Sequence, residues 1–294
     1  MARRRPLTAF LLLAYGIGWP ALMVPVVTDL PEEPFLLVLL FLALLGPALL
    51  VTRWTDGPGA IRKLLARTLM WRFGLGRWAV ILLAMPVLTL GLAAVSGTLE
   101  TPERGWGFEV GFYLFSTLVF GALVANLWEE TAWGGFVQTR LMARHGLLVG
   151  SLLTAPLFAA IHVPLQLGDG ASWSESAYGI VVVFATAPFY RYLLGMHLMD
   201  TGGSILVIAV QHAAWNASGN LEAGRGRVAG RRGGGAAHPP RRRLAAGAAP
   251  GGRTPWCRRG EGRGGRVDRT ASPGAPGLGR LGHQVGDRVA CSGF

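Results

Sequence analysis

Long apolar runs separated by short polar loops set the first picture of this chain. A hydrocarbon core about 30 Å thick takes about 20 apolar residues of helix to cross. Seven stretches approach that length: residues 8–27, 34–52, 78–95, 112 to about 141, 147–167, 177–198 and 204–217. The fourth is interrupted by Glu129 and Glu130, and the seventh is short. The pattern predicts an all-α fold, a polytopic transmembrane helix bundle with about seven spans. The first run follows Arg3, Arg4 and Arg5 as a signal peptide would. It is longer than a usual signal segment and lacks a small-residue cleavage pattern, so it reads as the first span.

The loops alternate in sign. Asp29, Glu32 and Glu33 follow the first span, and Arg53, Arg62, Lys63, Arg67, Arg72 and Arg77 follow the second. Glu100, Glu103, Arg104 and Glu109 come next, then Arg140 and Arg144, then Asp169 and Glu175. By the positive-inside rule the N-terminus lies in the cytoplasm together with the Arg-rich loops.

Composition sharpens this picture. The chain is 51% hydrophobic and 15% charged, with mean hydropathy +0.40, which excludes an ordinary soluble domain. Its net charge of +12 sits almost wholly in one place: residues 222–294 hold 15 Arg and 4 acidic residues, residues 1–221 hold 13 basic and 12. That tail is rich in Arg, Gly, Ala and Pro without hydrophobic periodicity, and reads as disordered. With one Lys against 27 Arg, the gene looks GC-rich, and these residues are what GC-rich codons give out of frame. The expectation is a frameshift near residue 221 that replaced a final, eighth span; the alternative is a genuine basic tail, and no nucleic-acid partner is expected. Both cysteines, Cys257 and Cys291, lie there, so the body has no disulfide framework or Cys-ligated metal. Three regions follow: N-terminal membrane helices over 1–110, chemistry-bearing helices over 111–221, and the tail over 222–294.

The chemistry lies where it is expensive. Glu129, Glu130, His162, His212 and Asn216 fall inside lipid-like sequence, where ionisable residues face a protein interior or a water-filled cavity. At 1.5 Å per helical residue, Glu129 is roughly 16 Å from Arg140, His212 roughly 12 Å from Ser204 and His162 roughly 22 Å from Leu147. These depths let them converge. Adjacent carboxylates on a helix point about 100° apart, so one can activate water while the other orients it or bonds to a neighbouring helix. A solvated pair at the membrane boundary is the alternative, since Arg140 allows the span to end early. Asn216, one turn after His212, shares its face. The pair can donate toward a developing oxyanion or serve as interhelical glue.

The order E-E-x-x-W-x-G-F at Glu129, F-x-x-x-H ending at His162 and H-x-x-x-N from His212 resembles the CPBP intramembrane proteases. That family includes the CAAX prenyl endopeptidases and bacterial bacteriocin-immunity homologues. The T-G-G-S-I-L run from Thr201 is also similar, and the resemblance covers roughly residues 110–220. It implies a multi-pass protein of a bacterial cytoplasmic membrane that hydrolyses a peptide or protein substrate, membrane-anchored substrates included, among membrane lipids. Glu129 would be the water-activating base, Glu130 and His162 would help hold that water, and His212 and Asn216 would stabilise the oxyanion. The family is described both as metalloproteases and as glutamate-dependent enzymes that need no metal. If a metal is present, Glu129, His162 and His212 would bind it and zinc suits that set, although the compact H-E-x-x-H pattern is missing.

One departure matters: the family pattern is E-E-x-x-x-R, and its Arg position here is Gly134. The resemblance then implies that Glu130 lacks its charge partner and that Gly134→Arg would restore activity or stability. The rival readings are a catalytically impaired binding or immunity protein of the same fold and a proton-coupled transporter. The inverted repeats that would support transport are not evident in the sequence.

Overall fold

The computed structural model describes residues 5–28, 30–168 and 171–223. Among these there are helices and no strand. The helices are α1 (Pro6–Val27), α2 (Glu33–Asp56), α3 (Ala60–Ala66), α4 (Leu75–Val95), α5 (Trp106–Ile161), α6 (Trp173–Asp200) and α7 (Ile205–Gly219). By length and composition α1, α2, α4, α5 and α6 can cross a membrane. The chain is an all-α membrane helix bundle. Its helices are apolar on the outside as well: Val87, Leu92, Val181 and Phe189 are all exposed, as lipid-facing residues are.

A continuous α5 of 56 residues would be about 84 Å long, far more than a bilayer needs. It is broken at Gly146, whose φ of 76° is a conformation that glycine adopts without strain. Its two arms correspond to the fourth and fifth apolar runs. The second arm stops earlier than the sequence suggested, at Ile161 in place of residue 167. Pro164 disfavours helix in the residue before it, and Val163–Gln166 tightens into a 3-10 turn. His162 therefore caps a helix end and does not sit within a helix.

The shortest of the predicted spans proves the most enclosed. In α7, Ile205 and the run 207–214 are all buried. Ala209, Ala213 and Ala214 keep its surface low, so neighbours approach closely: a Cβ placed on Gly121 would stand 2.7 Å from the Ala213 Cβ. Its start is fixed by Ser204, whose hydroxyl accepts from the Val207 amide at 3.2 Å and donates to the Met70 carbonyl at 2.8 Å. Arg67 clamps the same turn, donating to the carbonyls of Gly203 and Gly135 at 2.6 and 3.1 Å.

The first two residues of the tail pack against the helices. Glu109 accepts from the Glu222 amide at 2.5 Å, Glu100 donates its amide to the Ala223 carbonyl, and Leu221 and Ala223 are buried. The rest of the tail, with its expected disorder, frameshift and lost span, lies outside the described residues.

Candidate functional site

Glu129 and Glu130 sit on the first arm of α5 between two stretches with wider, π-type turns, Ser116–Asn126 and Thr131–Gln138. Such turns redirect side chains locally and often occur at functional sites. The two carboxylates diverge into different surroundings.

Glu130 is fully buried. Its Oε2 accepts from Arg191 Nη1 at 2.8 Å, and its Oε1 accepts from Arg191 Nη2 at 3.2 Å and from His212 Nδ1 at 2.8 Å. Arg191 comes from α6, is also fully buried, and lies over the Phe158 ring at 4.0 Å. A two-pronged guanidinium–carboxylate pair with a cation–π contact answers the cost of burying both charges. Gln138 supports it, donating to the Arg191 carbonyl at 2.6 Å and to the Ser151 hydroxyl at 3.1 Å. Because a carboxylate engaged by Arg can only accept, His212 donates from Nδ1. Its Nε2 is buried without a hydrogen-bond partner among the described residues.

Glu129 keeps 14% of its side chain exposed. Its Oε1 stands 3.4 Å from His162 Nε2, and its Oε2 is 3.5 Å from Asn126 Nδ2. His162 Nδ1 lies 2.7 Å from the Phe158 carbonyl, one that the helix end leaves open. A carbonyl only accepts, so Nδ1 carries a proton, and in the neutral ring Nε2 presents a lone pair toward Glu129.

Aromatic rings wall this cluster. Phe158 lies 4.5 Å from the His162 ring and 5.9 Å from that of His212, and Tyr190 lies 5.1 Å from His212. A narrow cavity beside them is lined by Phe158, Val183, Thr186, Ala187, Tyr190 and Trp215. Asn216 stands one turn beyond His212 on α7, with its Oδ1 buried and unpaired among the described residues. The structure thus joins Glu129 to His162 and Glu130 to His212.

The proposed zinc set does not assemble. Among the described residues no three His, Cys, Asp or Glu groups stand close enough to share an ion. Glu129 and His162 converge, whereas His212, held to Glu130 through Nδ1 with Nε2 left free, does not form one group with them. Glu129, His162 and His212 therefore do not fit a three-ligand zinc centre.

The expectation drawn from Gly134 is also corrected. Glu130 has its guanidinium, supplied across the bundle by Arg191. A Cβ at position 134 would lie 2.2 Å from Ile208 Cδ1 and 2.9 Å from Glu130 Oε2, so Gly134→Arg would collide with the site it was meant to repair. Arg191 and Asn126 were not singled out from the sequence. For Arg191 the signal existed, because an Arg inside the apolar run 177–198 meets the same criterion that flagged the Glu and His residues. Asn126 needed only the observation that it lies one helical turn before Glu129.

A search of curated proteins finds no match to the chain. A protein-family comparison does: residues 110–218 match the model described as type II CAAX prenyl endopeptidase Rce1-like. The match spans both glutamates, both histidines, Asn216 and Arg191, and it agrees with the motifs and the helical architecture. Over this segment the chain is similar to the CAAX-protease family, and its apolar helices agree with a membrane protein of that kind.

Proposed function

We propose that the chain is an intramembrane endopeptidase in which Glu129 activates water. The observation that carries this reading is the pair of proton acceptors, Glu129 Oε1 and His162 Nε2, held 3.4 Å apart, with Oε1 buried and lacking a hydrogen-bond partner among the described residues. Both atoms take protons, so a water lying about 2.8 Å from each would give one hydrogen to each. That posture leaves the water oxygen's lone pairs free to attack a carbonyl carbon. Glu129 takes the proton as the carbon–oxygen bond forms, then returns it to the leaving nitrogen as the carbon–nitrogen bond breaks. The products are a carboxylate and an amine.

The oxyanion formed on attack requires donors. His212 Nε2 serves if the ring is doubly protonated. Its positive charge then balances Glu129, as that of Arg191 balances Glu130. The Asn216 amide is the second donor. No covalent intermediate is involved, since Ser and Cys are missing from all three motifs. The substrate class is a peptide or membrane-anchored protein segment presented from the cytoplasmic side, the side to which the Arg-rich loops are assigned. Gly134 favoured the impaired-protein reading, and the Arg191–Glu130 pair supports the hydrolytic one instead.

The test is peptide release in detergent from prenylated and unprenylated C-a-a-X peptides, read by mass spectrometry. Glu129→Gln keeps shape and hydrogen bonding but cannot accept the water proton, so turnover is abolished while the protein stays folded. His212→Ala loses one oxyanion donor, worth about 100- to 1000-fold in kcat. Undiminished cleavage by Glu129→Gln removes that residue from the mechanism. Absence of cleavage by the parent as well as the variants favours a binding protein.

A further inference from the structure

We infer that Arg191 is a positioning residue for this site: a guanidinium delivered from α6 that fixes Glu130 as the acceptor for His212 and does the work position 134 cannot do. The inference rests on the hydrolytic reading above for its effect on turnover, and on geometry alone for its effect on His212.

Arg191 touches the surroundings of all three motifs. It holds both oxygens of Glu130, at 2.8 and 3.2 Å. Through Glu130 Oε1 it reaches His212, whose Nδ1 lies 2.8 Å away. Its guanidinium also covers Phe158, whose carbonyl holds His162 Nδ1. Gln138 keeps the α6 backbone at Arg191 in place. A carboxylate gripped by two prongs cannot rotate, so the third bond, to His212, has a fixed direction. The proton on Nδ1 and the aim of Nε2 follow from that one restraint.

Gly134 is the other half of the arrangement. The space its side chain would fill holds Ile208 Cδ1 and Glu130 Oε2. Glu130 Oε2 is the oxygen drawn toward Arg191 Nη1. The bundle thus accommodates one guanidinium near Glu130, and packing dictates that it arrive from α6. The space can be reassigned by trimming Ile208 and removing the guanidinium that holds Glu130 Oε2 where it is. In the variant Gly134→Arg/Arg191→Leu/Ile208→Ala, the new side chain lies one turn from Glu130 on the same helix and has room.

The experiment uses the full chain in detergent with 15N-labelled histidine, its His212 signal identified by loss in His212→Gln. Two-bond nitrogen–proton spectra report which ring nitrogen carries hydrogen, and the peptide-release assay gives kcat and KM. The parent shows a single His212 form with hydrogen on both Nδ1 and Nε2, the doubly protonated ring that the oxyanion role requires. In Arg191→Gln that form gives way to a mixture, and kcat falls about 10–100-fold with KM changed less than about threefold. Arg191→Lys, which keeps the charge and loses the fork, falls between. The relocated variant recovers the single form and most of the lost kcat.

A folded Arg191→Gln protein with the parent's His212 spectrum and kcat would overturn the inference, as would a folded relocated variant that recovers neither. Should Arg191→Gln not fold, Arg191→Lys decides, and a parent-like spectrum and kcat there count against the fork. A His212 signal that obeys Arg191 in a parent that cleaves nothing refutes the hydrolytic reading alone. Cleavage with an indifferent His212 refutes the positioning role alone.

Discussion

Gly134→Ala tests the packing around Glu130 with the smallest perturbation available. The added methyl would stand 2.2 Å from Ile208 Cδ1 and 2.9 Å from Glu130 Oε2, against a comfortable carbon–carbon separation of about 3.5–4.0 Å. Ile208 has no exposure and belongs to the main core with Trp133 and Phe136, so it cannot turn aside. Overpacking of this severity costs about 3 kcal/mol, and replacing a helical glycine returns about 1 kcal/mol. A net loss of about 2 kcal/mol follows. Ile208→Val deletes the clashing Cδ1 and alone costs about 1 kcal/mol. In the double variant the new methyl occupies the volume vacated by Cδ1 and keeps only the 2.9 Å approach to Glu130 Oε2, so the protein is within about 2 kcal/mol of the parent and the coupling is about 1 kcal/mol. Reversible unfolding by sodium dodecyl sulfate titration in mixed micelles measures all four corners of the cycle. Additivity to within about 0.5 kcal/mol would show that the two side chains do not compete for one space, and would refute the packing account of Gly134.

Other predictions follow from contacts already described. Arg67→Met removes the clamp on the Gly203 and Gly135 carbonyls and lowers stability in the same titration by about 2–3 kcal/mol; a change below about 0.5 kcal/mol refutes it. Ser204→Ala loses the N-cap of α7 and its bond to Met70, costing about 1 kcal/mol, with Ser204→Thr retaining most of it. Asn126→Leu removes the donor beside Glu129 Oε2; unfolding is nearly unchanged while kcat drops about tenfold, and an unaltered kcat sets Asn126 outside the site.

The helices were legible in the sequence because a bilayer demands length and apolarity, which simple runs of residues display. The polar loop carrying Arg140 and Arg144 marked the break in α5 equally plainly. Counting residues along a helix gives height, which is why the glutamates and histidines could be expected to meet. Azimuth was not legible. Counting cannot reveal that Glu130 turns toward α6 and α7 while Glu129 turns toward the end of α5, because that depends on how the helices pack. Gly134 misled for a related reason. A motif position stands for a location in space, and a guanidinium can reach that location from another helix. Arg191 went unnoticed because a long apolar window absorbs one charge without losing its character. The end of α5 at Ile161 was readable from Pro164 but was overridden by the apolar residues that follow it.

The buried link between α5 and α6 also bears on how the protein is made. Arg191 lies about 14 Å, at 1.5 Å per residue, from the end of α6 at Asp200, deep in a helix that must enter lipid. An arginine at the centre of an inserting helix costs about 2.5–3.5 kcal/mol on the translocon scale. Its partner is synthesised first: Glu130 precedes it in the chain, so the arm carrying the carboxylate can be in the membrane when α6 arrives. The ion pair that orders the site can therefore also draw α6 into the bilayer. A Glu130→Leu chain would place its greatest biosynthetic difficulty sixty-one residues downstream, at the membrane entry of a helix whose own sequence is unchanged.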